Sequence, residues 1–278
     1  MATFSTNTQM DGSGLVVDSV MALSGGMDST SLLMHLLANG DSVTAISFEY
    51  GQKHSLELER AKLNIAYLKE CHYEVNHIII DLTSAMSSFH SALITEDYSM
   101  PEGHYEEEQM KQTVVPNRNA IFSSILYGHA LSLVEKRGGS NVRVCLGVHS
   151  GDHAIYPDCR PEFYNSLMES FRVGNWNSEK VELYLPYLEG DKYSILKDAE
   201  NSISTLDLEF DIIFRNTNTS YNPTDEGKAS GKSGADIERI LAFHKLGVAD
   251  PVEYVEPWET VLAHALNIEK SFQLNEGE

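Results

Sequence analysis

The chain reads as an α/β protein: an open, mostly parallel, doubly wound sheet with a small helical appendage at its C-terminal end. Three observations carry this. Short apolar, β-branched runs alternate with segments of helical spacing from Leu15 to Gly147. The first run turns into a helix through two glycines, Gly25 and Gly26, and the C-terminal end holds two segments of helical spacing, 236–246 and 258–272. Strands separated by helices need right-handed crossovers, and these give a parallel sheet with helices on both faces.

In chain order, residues 15–23 are a strand, and 31–37 lie in a helix that Gly40 closes as a C-cap glycine. Residues 43–48 are a buried strand, 56–68 a helix and 75–82 a third strand. The stretch 83–113 breaks the alternation. It is polar, contains Pro101 and Gly103, and reads as a long, lid-like loop in which Glu106 to Glu108 form a solvated face. Residues 119–137 form the strongest helix, ended by Gly138 and Gly139, and 142–147 are a fourth strand. After a loop at 149–160, Pro161 starts a helix to 173, followed by a strand at 181–185, a helix at 195–203 and a last short strand at 211–214. Residues 216–235 are polar, and 236–246 and 258–272 are helices. The expected organisation is an extension at 1–14, a main domain at 15–205 and a C-terminal segment at 206–278.

The 278 residues suffice for one large domain, and an apolar fraction of 42% supports a real core. No apolar run reaches membrane-spanning length, and the polar start 1–13 has no signal-peptide pattern, so a cytoplasmic location is expected. Cys71, Cys145 and Cys159 are too few and scattered for a disulfide scaffold. A net charge of −21 without a Lys/Arg cluster argues against a general nucleic-acid binder. A phosphate ligand must then be held by local donors.

The glycine turn supplies such donors. Ser24-Gly25-Gly26-Met27-Asp28-Ser29 lines up backbone N–H groups at a helix start, with hydroxyls at Ser24, Ser29 and Thr30. A bare Ser-Gly-Gly is more often a capped turn; the full string after a strand is more specific, and it lacks the Gly-Lys-Ser/Thr ending of a Walker A loop. Tyr50-Gly51-Gln52-Lys53-His54 follows the second strand and should face the same crevice, although alone it is a turn. In Pro116-Asn117-Arg118-Asn119, Asn117 suits a plain N-cap and Arg118 a clamp on phosphate or carboxylate. His149, His153 and Cys159, with Asp152 and Asp158, fit no common zinc spacing and read as incidental. A carboxylate in or near Tyr156-Pro157-Asp158-Cys159-Arg160 suits the N1–H and exocyclic amine of a guanine-like ring, and Asp158 and Asp152 both qualify; the alternative is that Asp158 caps the next helix. Lys192, after Pro186, either reaches a phosphate from a loop or is an ordinary surface lysine.

Taken together, in order and spacing, these motifs resemble the 7-cyano-7-deazaguanine synthases, within the PP-loop ATP pyrophosphatases (adenine nucleotide alpha hydrolase-like fold). The resemblance extends through Val115 to Phe122, Tyr156 to Phe163, Pro186, Asp191-Lys192, Glu238-Arg239, Ala242-Phe243 and Gly247-Val248-Ala249-Asp250-Pro251. It implies an enzyme, a carbon–nitrogen ligase that uses ATP and Mg²⁺ to adenylate 7-carboxy-7-deazaguanine and passes the acyl group to ammonia, giving an amide and then a nitrile. The implied ATP site is Ser24, Gly25, Gly26, Met27, Asp28, Ser29, Thr30, Phe48 and Lys192. The implied substrate site is Tyr50, Gln52, Lys53, His54, Asn117, Arg118, Tyr156, Asp158 and Arg160, with Asp28, Arg118 and Lys192 as catalytic groups.

One departure is large. The family holds a structural zinc with four cysteines, and the matching positions here are Ser220, Ser230, Ser233 and Asp236. Neutral hydroxyls are poor zinc ligands beside thiolates, so no zinc is expected and hydrogen bonds must hold the segment. The loss leaves the acceptor open. Similar proteins occur in queuosine synthesis, in antiviral defence, where the acyl group is joined to an amine of a partner protein, and in phage DNA modification. A non-catalytic nucleotide-binding module is the remaining alternative. A homodimer is the base-rate expectation for a soluble enzyme.

Overall fold

The computed structural model describes residues 16–52, 56–91, 114–149, 156–220, 224 and 226–276. Five strands form one parallel sheet in the order β3-β2-β1-β4-β5. They are β1 (Asp18–Ala22), β2 (Ser42–Glu49), β3 (Asn76–Asp81), β4 (Val142–Cys145) and β5 (Val181–Tyr184). The chain lays β2 and β3 outward on one side of β1, then returns to lay β4 and β5 on the other. That reversal between β1 and β4 opens a crevice at the strands' C-terminal ends, where open α/β sheets bind ligands.

Side-chain alternation divides the core. Met21, Val43, Ala45 and Cys145 face one layer, made by α1 (Met27–Ala38), α2 (Leu56–Glu70), α6 (Lys192–Thr205) and parts of α7 (Phe210–Arg215) and α8 (Gly234–Leu246). Val20, Ile46, Phe48, Val142 and Val144 face the other, against α4 (Arg118–Lys136) and Tyr164 of α5 (Pro161–Gly174). Beyond β3 a short helix, α3 (Thr83–Met86), opens the stretch read from sequence as one loop; the rest of that stretch, except 87–91, lies outside the described residues. At the other end α9 (Trp258–Glu276) packs on α8 through Val261 and Ala265. Among the described residues no helix is long and apolar enough to cross a membrane.

Helix ends follow local chemistry. Gly40 takes φ +80° and its N–H bonds to the Leu37 carbonyl at 2.9 Å, closing α1. Asp191 caps α6 through a reciprocal box with Ser194. Two expectations are corrected. Residues 211–214 belong to α7, not a strand: Ile213 and Phe214 are buried on one side while Asp211 and Arg215 stay more exposed, a helical pattern in a run too short to show its period. Lys192 is the first residue of α6 rather than part of a loop, and it is buried.

Candidate active site

The glycine turn is ordered by its own hydroxyls. Ser24 Oγ and Ser29 Oγ lie 2.9 Å apart, the Ser24 N–H donates to Ser29 Oγ at 3.2 Å, and the Gly26 N–H donates to Ser24 Oγ at 3.2 Å. Gly26 is the N-cap of α1 and offers no side chain, so the first turn of a twelve-residue helix, Met27 to Ser29, borders the crevice without a side-chain cap. Gly25 has φ +89°, and a Cβ there would stand 2.0 Å from the Glu57 carbonyl oxygen. Only glycine lets α2 pack so close behind the turn. Across the crevice, a Cβ on Gly147 would meet the Asp28 carbonyl at 3.1 Å, so the tip of β4 also comes close to the turn.

Behind the turn lies a charged cluster. The Lys192 ammonium donates to Asp28 Oδ2 at 3.0 Å, lies 3.3 Å from His149 Nε2, and pairs with Glu238 Oε2 at 3.3 Å. His149 is 0% exposed and stands 3.8 Å from Asp28. Burial works to raise the Asp28 carboxyl, but Lys192 and His149 outweigh it and hold it below the ordinary carboxylate range. Asp28 is thus an anion with one oxygen engaged. Its other oxygen, Oδ1, is buried and has no hydrogen-bond partner among the described residues.

Asp28 and Lys192 border a cavity of about 270 Å³ at the sheet's switch point. Its aromatic side is Phe48 stacked on Phe122, ring centroids 4.0 Å apart and planes 7° apart, with Tyr50 edge-on at 5.6 Å. Arg118 opens α4 after Asn117, which takes the left-handed conformation at φ +57° and caps nothing with its side chain. Arg118 Nη1 donates to Tyr50 Oη at 3.4 Å. Burial raises the Tyr50 phenol in spite of Arg118, and burial pushes the Glu57 carboxyl up to about 7 against the pull of the same guanidinium.

The residues singled out from sequence fall into three groups. Ser24, Gly26, Met27, Asp28, Ser29 and Phe48 line the cavity from the β1 and β2 side, and Tyr50, Gln52, Arg118, Tyr156 and Lys192 complete the wall. Gly25 is in the turn but faces α2 and does not line the cavity, Thr30 is buried with its hydroxyl unpartnered among the described residues, and Asn117, Asp158 and Arg160 are not part of the wall. Arg160, not Asp158, occupies the N-cap of α5, without a side-chain cap. Lys53, His54, Asp152 and His153 lie outside the described residues. Sequence reasoning missed Glu57, Phe122 and Asn218 in the wall and Glu238 in the cluster, and it set His149 aside as incidental. Glu57 follows Gln52 by five residues and was within reach of a helical-wheel argument; the others come from distant segments.

The four positions implied as zinc ligands also meet. Asp236 Oδ2 accepts from Ser220 Oγ at 3.0 Å, from Ser230 Oγ at 2.9 Å, and from the N–H groups of Gly231 and Ser233 at 3.1 and 3.3 Å. Ser233 and Asp236 form the capping box of α8. The Ser220 and Ser230 hydroxyls are spent on the carboxylate and the Ser233 hydroxyl accepts from the Asp236 N–H at 3.2 Å, and this donor set does not fit zinc. Among the described residues no group of three or more His, Cys, Asp or Glu side chains is placed to hold a metal.

The family described as Queuosine biosynthesis protein QueC matches residues 18–247. The chain belongs to the QueC family. It is 42% identical over 251 residues to the 7-cyano-7-deazaguanine synthase of Hahella chejuensis (strain KCTC 2396), covering 88% of this chain and 96% of that protein. It is 40% identical over 235 residues to 7-cyano-7-deazaguanine synthase 1 of Colwellia psychrerythraea (strain 34H / ATCC BAA-681), covering 84% and 97%. These QueC relatives are carbon–nitrogen ligases, and the chain is an enzyme of their family. Among solved structures, NMN synthetase from Francisella tularensis aligns at a TM-score of 0.42 and 13% identity over 90% of this chain and 83% of that one. A 4-thiouridine synthetase–RNA complex with bound ATP aligns at 0.42 and 17% over 92% and 53%.

Proposed function

We propose that this QueC-family enzyme cleaves ATP to AMP and pyrophosphate to activate 7-carboxy-7-deazaguanine and passes the acyl group to a nitrogen nucleophile. The observation that carries this is the meeting of Lys192 and Asp28, 164 positions apart in sequence, at the uncapped start of α1. A terminal pyrophosphate fits there: the N–H groups of the turn and the Ser24 and Ser29 hydroxyls donate, and the Lys192 ammonium offsets charge on the leaving group. Asp28 Oδ1, buried and unpartnered among the described residues, suits Mg²⁺, which would neutralise phosphate charge when bound.

The planar base fits against the Phe48–Phe122 pair, and Arg118 aims the substrate carboxylate at the α-phosphate. The carboxylate oxygen attacks the α-phosphorus, pyrophosphate leaves, and the nitrogen lone pair then displaces AMP from the acyl adenylate. With ammonia the product is the amide; a second adenylation on the amide oxygen followed by loss of AMP gives the nitrile. Catalysis in this scheme is positioning and charge stabilisation.

A second reading keeps the activation and changes the acceptor to an amine of a partner protein. The altered C-terminal wall, where Asp236 gathers Ser220 and Ser230, favours keeping it open. One experiment separates the two. The protein is incubated with ATP, Mg²⁺, ammonium and the acid, and small-molecule products are read by mass spectrometry. AMP with free amide or nitrile supports ammonia as acceptor. AMP formation that needs a co-expressed partner, with a matching mass gain on it, supports the second reading. No AMP under either condition rejects both.

A further inference from the structure

Residues 217–220 form a strap that belongs to no helix or strand, yet Asn218, Thr219 and Ser220 are part of the cavity wall. The Asn218 N–H donates to the Gly25 carbonyl at 2.9 Å, so the strap lies directly on the glycine turn. Its hold comes from behind, from two side chains one turn apart on α8. Arg239 Nη1 donates to Thr217 Oγ1 at 2.7 Å and Thr219 Oγ1 at 3.0 Å, and Nη2 donates to the Phe214 carbonyl at 3.2 Å. The guanidinium is fixed in turn by a paired contact with Asp250, Nε to Oδ2 at 2.6 Å and Nη2 to Oδ1 at 2.9 Å. Asp236 takes the end of the strap, Ser220, and ties it to Ser230, Gly231 and Ser233. Asp236 and Arg239 are each 1% exposed.

The placement matters more than the number of bonds. A cluster that only held the C-terminal segment together would need no tie to the crevice. Here the helix that carries both hubs also carries Glu238, which reaches Lys192. The strap, the turn and the lysine are therefore held to one rigid element. We propose that Asp236 and Arg239 are positioning residues that dock the 217–220 strap on the glycine turn, and that in this chain a carboxylate hub does this without a metal. The proposal rests on nucleotide activation at that turn; it adds the residues that set the wall's geometry.

The test uses the full-length protein and two readouts. Hydrogen exchange at the Asn218 amide reports the strap–turn bond with no reaction needed, and steady-state AMP release reports KM for ATP and kcat. Asp236→Asn keeps the side-chain shape and removes the charge. It should lower protection at Asn218 by about tenfold or more and raise KM for ATP by about tenfold while kcat changes less. Rebuilding four thiolates as S220C/S230C/S233C/D236C should make Asn218 protection depend on added zinc, which also covers the case in which Asp236→Asn does not fold. Asn218 protection unchanged in Asp236→Asn, or indifferent to zinc in the four-cysteine variant, would overturn the hub. About one tightly bound zinc per wild-type chain would overturn its metal-free part. Wild-type protein that makes no AMP would reject the activity while the exchange data still decide the hub.

Discussion

Asp28 and Asp236 are both carboxylates in or beside one cavity, and their surroundings drive them in opposite directions. Around Asp28 stand an ammonium and an imidazole, and these hold it ionised against the effect of burial. Around Asp236 stand two hydroxyls and two backbone N–H groups on one oxygen. Neutral donors offset burial only in part, so the Asp236 carboxyl is raised. The difference separates a binding carboxylate from an organising one. Each leaves its buried Oδ1 without a partner among the described residues; the difference lies in Oδ2, which at Asp28 meets the Lys192 ammonium beside the crevice and at Asp236 gathers neutral donors that shape the wall.

Breaking the first region should cost the most. Lys192→Met removes the cation between Asp28 and Glu238 and should lower kcat/KM for AMP formation by about 10³-fold, about 4 kcal/mol. Lys192→Arg, whose planar fork cannot reproduce the point contact, should rescue little of it. If Lys192→Met loses less than about tenfold, the lysine does not serve the leaving group.

On the second region the loss should appear as stability first. Arg239→Met strands the buried Asp250 and frees the strap, for an expected cost of about 3 kcal/mol or more, read from urea denaturation. An unchanged midpoint would show that the strap has other support.

Smaller effects sharpen the contrast between charged and neutral partners. Glu57, raised by burial to about 7, binds its proton more tightly folded than unfolded. Its contribution to stability is full below its ordinary value of 4.5 and is lost as pH rises through about 7. Wild type should therefore lose stability relative to Glu57→Gln across that window, and parallel urea midpoints for the two proteins would contradict it. The smallest change is Phe122→Leu, which removes the stacked partner of Phe48 and should cost about 1 kcal/mol, with weaker substrate binding by calorimetry.

Much of this was legible in the sequence where function rests on a contiguous string. The turn from Ser24 to Ser29, the parallel strands and the capping glycine at Gly40 each follow from neighbours in the chain. The cluster at Lys192 was only half legible: the lysine was visible, but His149 and Glu238 join it from 43 positions before it and 46 after it. No local pattern encodes that meeting. Residues 211–214 misread as a strand because Ile212, Ile213 and Phe214 in a six-residue helix leave no period to count. The Asp236 hub shows a signal that was present and unused. Ser233-x-x-Asp236 ahead of an apolar run is a capping-box pattern, so these two positions also announce the start of α8.

The most direct measurement is AMP release by wild-type protein whose zinc content has been determined, with and without a zinc-selective chelator. The expected result is full AMP formation, dependent on ATP and the deazaguanine acid, at a zinc content far below one per chain and unchanged by the chelator. AMP formation that falls in proportion to zinc removed, or no AMP from well-folded zinc-free protein, would contradict the reading of this centre as an ATP site walled by a carboxylate hub.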